Sequence, residues 1–488
     1  MRPVVLLGAG EDLDTSAVLA VADGARVEFT LEFLTVLAER RTALLAALER
    51  SGPVYGVTTG MGAMAGIALD AAARSRHQDH LVVGRAVGSA PWLSPKEVRA
   101  LLAVRLRTFL HPEAAVSTGL LLRLADLLAR DVLPAVPARG GGAAGEIVPL
   151  AHAGAVVLGG GRTLGGNLRA EDVRPENSPP GYSFAAKEGV AFLEGVPGAT
   201  ALALLRGRSA ADLLRRGTLV LAASAEVLRA SHDPVHPGLA RGDDVLADVL
   251  AGLRALRPAG DVHGLQAPVS VRVGAAALAT AHRAVAALAA AAERALVGVS
   301  DSPAFLGGDF VGSAGFAGTD LAAGLDHLTA ALVHVADTSA ARTHRMLDTR
   351  LTGLPPQLSP KPGVQAGLVA VHKRAVGVVH RLRRFAVPAL LGPVETSLGQ
   401  EDVQSFAFEA AECAAEALAG LTEVLAVELL AVHRAGLLRG GLSGLSPVAQ
   451  EALGEVADLL GGDVLDRPYG IDVDAVADWL VRPSGTGR

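Results

Sequence analysis

Two glycine-rich stretches are the first places in this 488-residue chain where chemistry could sit. One is GVTTGMGAMAG, from Gly56 to Gly66, directly after Tyr55; the other is RGGGAAG, from Arg139 to Gly145. Glycine-rich loops cradle phosphates when they follow a strand and open a helix. Neither stretch follows a clear strand, and neither ends in the Gly-Lys-Ser/Thr of a phosphate loop. The chain has no Gly-x-Ser-x-Gly nucleophile elbow and no His-Glu-x-x-His zinc pair. Its 14 histidines are scattered without ligand spacing, so no metal site is expected. The single cysteine, Cys413, lies in FAFEAAECAAEALAGL, on the apolar stripe of a helical pattern. It excludes an internal disulfide and is expected to be a buried structural thiol.

The elements that must position any site are helical. Hydrophobic residues make up 50% of the chain and aromatics only 3%, so the core must be built from Ala, Leu and Val. The segment from Leu31 to Arg50 places Leu34, Leu37, Leu44, Leu45 and Leu48 on one helical face. Irregular stretches follow at 51–66, 133–149 and 167–183, and then long helical patterns take over. Leu321, Leu325, Leu328, Leu332 and Val335 step by four and three, the spacing of a bundle seam. Another helix is expected from about Glu401 to Arg434. The expectation is a mainly α protein: a loop-rich helical domain over 1–190, then a long central bundle and C-terminal helices over 191–488. A formal net charge of −6 gives no basic signal for nucleic acid. The apolar stretches are broken by charge, so no membrane span is indicated. The opening residues lack a signal-peptide pattern, and a cytoplasmic protein is expected.

Several segments, in order along nearly the whole chain, resemble the aromatic amino acid ammonia-lyase family. LDTSAVLAVADGARVEFT (13–30) is similar to the family's opening, and YGVTTGMG (55–62) to its Tyr-Gly-x-Asn-Thr-Gly loop. GGAAGEIVPLAH (141–152) resembles Gly-Ala-Ser-Gly-Asp-Leu-x-Pro-Leu-x-His, and KEGVAFLEG (187–195) resembles Lys-Glu-Gly-Leu-Ala-Leu-x-Asn-Gly. LQAPVSVRV (265–273), SDSPAF (300–305) and TSLGQEDVQSF (396–406) are similar to Gln-Asp-x-Tyr-Ser-x-Arg, Asp-Asn-Pro and Gln-Glu-Asp-His-x-Ser. The resemblance implies the ammonia-lyase and fumarase type of helical fold, a homotetramer, and active sites that draw residues from more than one subunit.

The resemblance also implies an electrophile made from the backbone. In the family, Ala-Ser-Gly cyclises and loses two waters to give a methylidene-imidazolone, and the second water takes the serine hydroxyl. The matching tripeptide here is Ala143-Ala144-Gly145. An alanine Cβ has no leaving group, so no such group, and no other cofactor, is expected. Other departures accompany this one. Thr58, Glu194 and Ser302 stand where the family has asparagines, Gly84-Arg85 where it has Ser-His, Ala267 where it has aspartate, Val269 for tyrosine and Val403 for histidine. What persists is Tyr55, matching the family's general base, and Arg272, matching its carboxylate clamp. Gln266, Ser270, Gln400 and Glu401 persist with them. A phenol with pKa near 10 needs surroundings that favour phenolate before it can act as a base at pH 7.

These residues suggest an enzyme that uses the old pocket without the electrophile. Tyr55, Glu194 and Glu401 are its candidate acids and bases; Arg272, Arg85, Gln266, Ser270 and Gln400 would bind a small substrate with a carboxylate or carbonyl group. Elimination, addition, isomerisation and ring closure are within reach of such groups. Two alternatives stand beside it. One is a non-catalytic homologue, acting as a small-molecule binder or partner subunit. The other is an engineered, inactivated lyase. Separately, the structural alternative for Arg85 and Glu194 is a buried pair with each other.

Overall fold

The computed structural model describes residues 2–165, 182–392 and 394–482, so the irregular stretch expected at 167–183 lies outside the described residues except for its last two. Helices dominate. Apart from isolated bridges, the strands among the described residues are a parallel pair, Val4–Leu7 with Arg26–Phe29, and a short hairpin, Ala304–Leu306 with Asp309–Val311. The chain forms two compact units whose segments alternate along the sequence. The first comprises Met1–Leu205, Leu288–Leu325 and Pro388–Glu412; the second comprises Arg206–Ala287, Asp326–Val387 and Cys413–Arg488. The boundary expected near residue 190 falls inside the first unit.

The first unit is built around the helix Pro95–Phe109. Ser94 and Glu97 close a capping box at its start, and Pro95 occupies the first turn, where its missing N–H costs nothing. Every residue from Val98 to Phe109 is buried, including Arg99, Arg105 and Arg107. A buried guanidinium needs partners. Arg99 finds them in the carbonyls of Val21, Ala25 and Leu128 and in Asp131. Arg105 donates to the carbonyls of Ala191 and Glu194, in and just after the fully buried helix Glu188–Leu193.

The second unit contains a saturated ion pair. Arg342 grips Glu428 through two bonds, Nε to Oε1 at 2.6 Å and Nη2 to Oε2 at 2.8 Å. Ser224 and Ser339 each donate to the same carboxylate.

The seam residues of Thr319–Met346 are all buried, as their spacing requires. Three expectations need correction. The helix at Leu31–Arg50 buries Phe33, Leu37, Leu44 and Ala47 with Arg41, while Leu45 is exposed, because Arg41 turns inward to the carbonyls of Ala115 and Ala186. The long helix expected from Glu401 starts at Ala407 and runs to Arg439, since Phe406 has φ +51° and the chain before it is loop. Cys413 is only half-buried. Two helical stretches, 188–227 and 274–297, are long and apolar enough to cross a membrane by length and composition alone; the most apolar window of the first is wholly buried inside the protein.

Candidate active site

The Tyr55 loop is held by its own backbone. Thr58, which replaces an asparagine of the resemblance, turns its hydroxyl inward and accepts from Val54 N at 2.7 Å. Buried Gln78 ties the loop down: it donates to Gly56 O at 2.9 Å and accepts from Val190 N at 3.1 Å. The contact leaves no room for a side chain at Gly189, where a Cβ would lie 2.3 Å from Gln78 O. Tyr55 Oη then accepts a hydrogen bond from Gly62 N at 2.8 Å, which leaves its O–H free to donate.

The surroundings of Tyr55 oppose its use as a base. Burial raises the pKa of the phenol, and the nearby carboxyls of Glu194 and Glu401 raise it further; the Gly62 hydrogen bond and Arg85 only partly offset this. At neutral pH Tyr55 is a proton donor.

Glu194 is strongly perturbed. It is 8% exposed, and its carboxyl accepts no hydrogen bond from any described residue. Burial, with Asp301 and Glu401 close by, pushes its pKa up to about 8; Arg105 and Lys187 act in the opposite sense. The carboxyl is therefore mostly protonated at pH 7. Asp301 is itself buried and paired with buried Lys187 through one oxygen, while its other oxygen is sealed in without a partner. Arg85 follows the helix Ala71–Val83 and donates Nη1 to Leu81 O at 3.0 Å, satisfying an end-of-helix carbonyl. Burial lowers its pKa, while Tyr55, Glu401 and Glu194 raise it. Arg85 and Glu194 thus feel each other's charge but form no ion pair. The buried pair weighed from sequence does not exist.

The tripeptide Ala143-Ala144-Gly145 sits beside these groups. Glu401 Oε2 accepts from Ala144 N at 2.8 Å, and Oε1 accepts from Ser397 Oγ at 2.7 Å. Glu401 lies in a loop, so its carboxylate is not a helix-terminal charge; it holds the tripeptide in place. Gln400 is exposed on the same loop. Next to the tripeptide, Glu146 is 4% exposed and accepts from Gly198 N at 2.6 Å and Ala199 N at 2.5 Å, at the start of the helix Pro197–Val227. Burial pushes its pKa up to about 7 against those bonds. A pocket here is lined by Ala143, Ala144, Glu146, Val196, Ser405 and Phe408. The residues present do not fit a methylidene-imidazolone. Its exocyclic carbon requires a Cβ–O bond to break, and the Ala144 Cβ carries only hydrogen.

Arg272, Gln266 and Ser270 belong to the second unit. Arg272 Nη1 donates to Gln266 Oε1 at 2.8 Å; both side chains are exposed at an open pocket they share with Ser231, Asp233 and Val269. Ser270 contributes its carbonyl to the Nη1 of Arg342 at 3.3 Å, so the buried Arg342–Glu428 pair steadies the turn that carries Arg272. The first-unit cluster comprises Tyr55, Arg85, Glu194 and Glu401 from the expected set. Sequence reasoning missed Gln78, Arg105, Glu146, Lys187 and Asp301. The available signal was a charge inside an otherwise apolar helix, as in LLAVRLRTFL around Arg105.

Comparison with known proteins gives the family and the fold. A family model described as aromatic amino acid lyase matches residues 13–458. Histidine ammonia-lyase of Streptomyces avermitilis is 32% identical, over 99% of this chain and 97% of that protein. The MIO-dependent tyrosine 2,3-aminomutase of Streptomyces globisporus is 29% identical, over 97% of this chain and 94% of its own length. The crystal structure of tyrosine aminomutase from that organism superposes with a TM-score of 0.91 at 27% identity, covering 99% of this chain and 97% of that one. Histidine ammonia-lyase from Trypanosoma cruzi shares the fold, with a TM-score of 0.88 at 23% identity, over 98% of this chain and 93% of its own.

Proposed function

Since this chain belongs to the aromatic amino acid lyase family, we propose that it is a lyase-like enzyme that works by acid–base chemistry without the imidazolone electrophile. The observation that carries the reading is Glu194: a buried carboxyl without a hydrogen-bond partner, kept protonated at neutral pH beside a phenol that is protonated too. Perturbed acids of this kind cluster at functional sites. Glu194 gives its proton to a carbonyl oxygen or a leaving group and is left as carboxylate. In an isomerisation, a ring closure or an elimination the carboxylate then takes the proton that the substrate gives up, so Glu194 ends protonated again. Tyr55 donates a hydrogen bond to the oxygen on which negative charge builds. Deamination of an unactivated aromatic amino acid is not among these reactions, because its β-proton is too weakly acidic without the electrophile. The substrate is a small carboxylate- or carbonyl-bearing molecule, and the working form is a homotetramer.

The test is a turnover screen of aryl carboxylic acids and acyl thioesters with wild type, Tyr55→Phe and Glu194→Gln. A positioned acid is worth about 10²–10⁴ in rate. Loss of that size in Glu194→Gln, with a folded protein, supports the reading. Binding without turnover in wild type points instead to a non-catalytic binder.

A further inference from the structure

We propose that Arg85, the Tyr55 hydroxyl and the Glu194 carboxyl form a seat for an oxyanion, so that the end of the ligand meeting this cluster is a carboxylate or the enolate made from it, and not an ammonium. This rests on reading the cluster as a ligand site and adds the chemical class that it takes.

The cluster holds more unspent donors than unspent acceptors. A guanidinium carries five N–H groups in a planar fork that suits carboxylates. Among the described residues Arg85 spends its side chain only on Leu81 O. Tyr55 Oη already accepts from Gly62, so its remaining capacity includes the O–H donor. Glu194 is 92% buried by its 8% exposure, and its carboxyl has no partner among the described residues. Protonated, it is a third donor. The acceptors nearby are occupied or sealed. Both Glu401 oxygens are engaged, by Ala144 N and Ser397 Oγ. Asp301 gives one oxygen to Lys187, and its other is closed off from solvent. An ammonium here would meet the Arg85 charge and mostly donors; its acceptors would be the carbonyl oxygen that a protonated Glu194 keeps and the Glu401 oxygens that already hold Ala144 N and Ser397 Oγ. An oxyanion would satisfy all three groups, and a half-buried arginine with no ion-pair partner among the described residues is costly until one arrives.

The seat also has a pH signature. The charged or titratable groups facing Glu194 are Asp301, Glu401, Arg105, Lys187, Arg85 and Tyr55; those facing Arg85 are Tyr55, Glu401, Glu194 and His77. When Glu194 ionises above about pH 8, a donor becomes a negative charge and the anion is repelled. Affinity should fall through that range in wild type and stay flat in Glu194→Gln.

The experiment is calorimetric titration of the full chain with 3-phenylpropionate and with 3-phenylpropylamine, which share ring and spacer and differ in the charged end. The acid should bind and the amine should not. Arg85→Met should weaken acid binding at least tenfold and Arg85→Lys less, with circular dichroism checking the fold. The alkaline loss of affinity in wild type, absent in Glu194→Gln, supplies a readout that does not depend on the Arg85 variants folding. Equal binding of the amine, an Arg85→Met affinity equal to wild type, or no binding of the acid to wild type overturns the seat. Turnover that needs Glu194 while acid binding ignores Arg85 sinks the seat and leaves the enzyme reading standing. Arg85-dependent binding with no turnover of any acid does the reverse.

Discussion

Glu428→Ala is expected to destabilise the second unit by about 3–5 kcal/mol, the usual cost of stranding a buried charge. Arg342 is 2% exposed and Glu428 is fully buried, so neither reaches water. The carboxylate takes four hydrogen bonds, two from the guanidinium and one each from Ser224 and Ser339. Removing it leaves a guanidinium and two hydroxyls without their acceptor in a close-packed bundle. The paired replacement Arg342→Met with Glu428→Leu should recover much of the loss, because it removes both charges and refills the volume. Urea unfolding followed by circular dichroism checks both; a single mutant within about 1 kcal/mol of wild type would show that the pair is not holding the bundle. Because Arg342 also donates to Ser270 O, the single mutant should loosen the Arg272 turn as well.

Glu194→Gln is expected to make the protein more stable at high pH and to leave it little changed at low pH. The sign follows from linkage. The folded pKa of Glu194, about 8, lies above the value near 4.5 of an exposed glutamate. The native state therefore holds a proton that the unfolded chain releases. Below about pH 4.5 both states are protonated, and the folded protein has lost nothing. As pH rises from 4.5 to 8 the unfolded state ionises first, and stability falls by about 1.4 kcal/mol per unit, on the order of several kcal/mol in all. Glutamine has no proton to lose and removes that slope. Glu146, pushed up to about 7, contributes a shallower loss of the same sign, and Asp301 is also raised by burial, so the variant should keep part of the decline. Melting curves at pH 5 and pH 9 check this. A gain of several degrees at pH 9 and almost none at pH 5 is the expected pattern; equal shifts at both would place Glu194 in water as an ordinary carboxylate.

Much of this was legible in the chain, and the limits have physical causes. The seam from Leu321 to Val335 could be read because a buried helix face needs apolar side chains at three- and four-residue steps. The face of Leu31–Arg50 was misplaced because pattern reading treats Arg41 as surface, whereas its guanidinium reaches two backbone carbonyls. The helix start at Glu401 was drawn too early because left-handed backbone at Ser397, Leu398 and Phe406 is not a property those residue types announce. That error mattered for function: in a loop, Glu401 is free to hold the tripeptide. The matched motifs brought Tyr55, Arg85, Glu194 and Glu401 onto one short candidate set, and the fold of the first unit does bring them together. Motifs could not say which of the two added charges would pair with which. The pairing that exists, Lys187 with Asp301, leaves Glu194 and Arg85 to each other's field without contact. Nor could they reveal that Tyr55 is held as phenol, because that depends on burial and on two neighbouring carboxyls.

Whether Ala143-Ala144-Gly145 carries an electrophile is read from the intact mass of the purified wild-type protein, taken with its ultraviolet difference spectrum against Ala144→Ser. The expected result is a mass equal to that of the unmodified sequence and no imidazolone absorbance in wild type. A deficit of two waters in wild type, with that absorbance, would contradict it and place an electrophile on a loop that has no hydroxyl to lose.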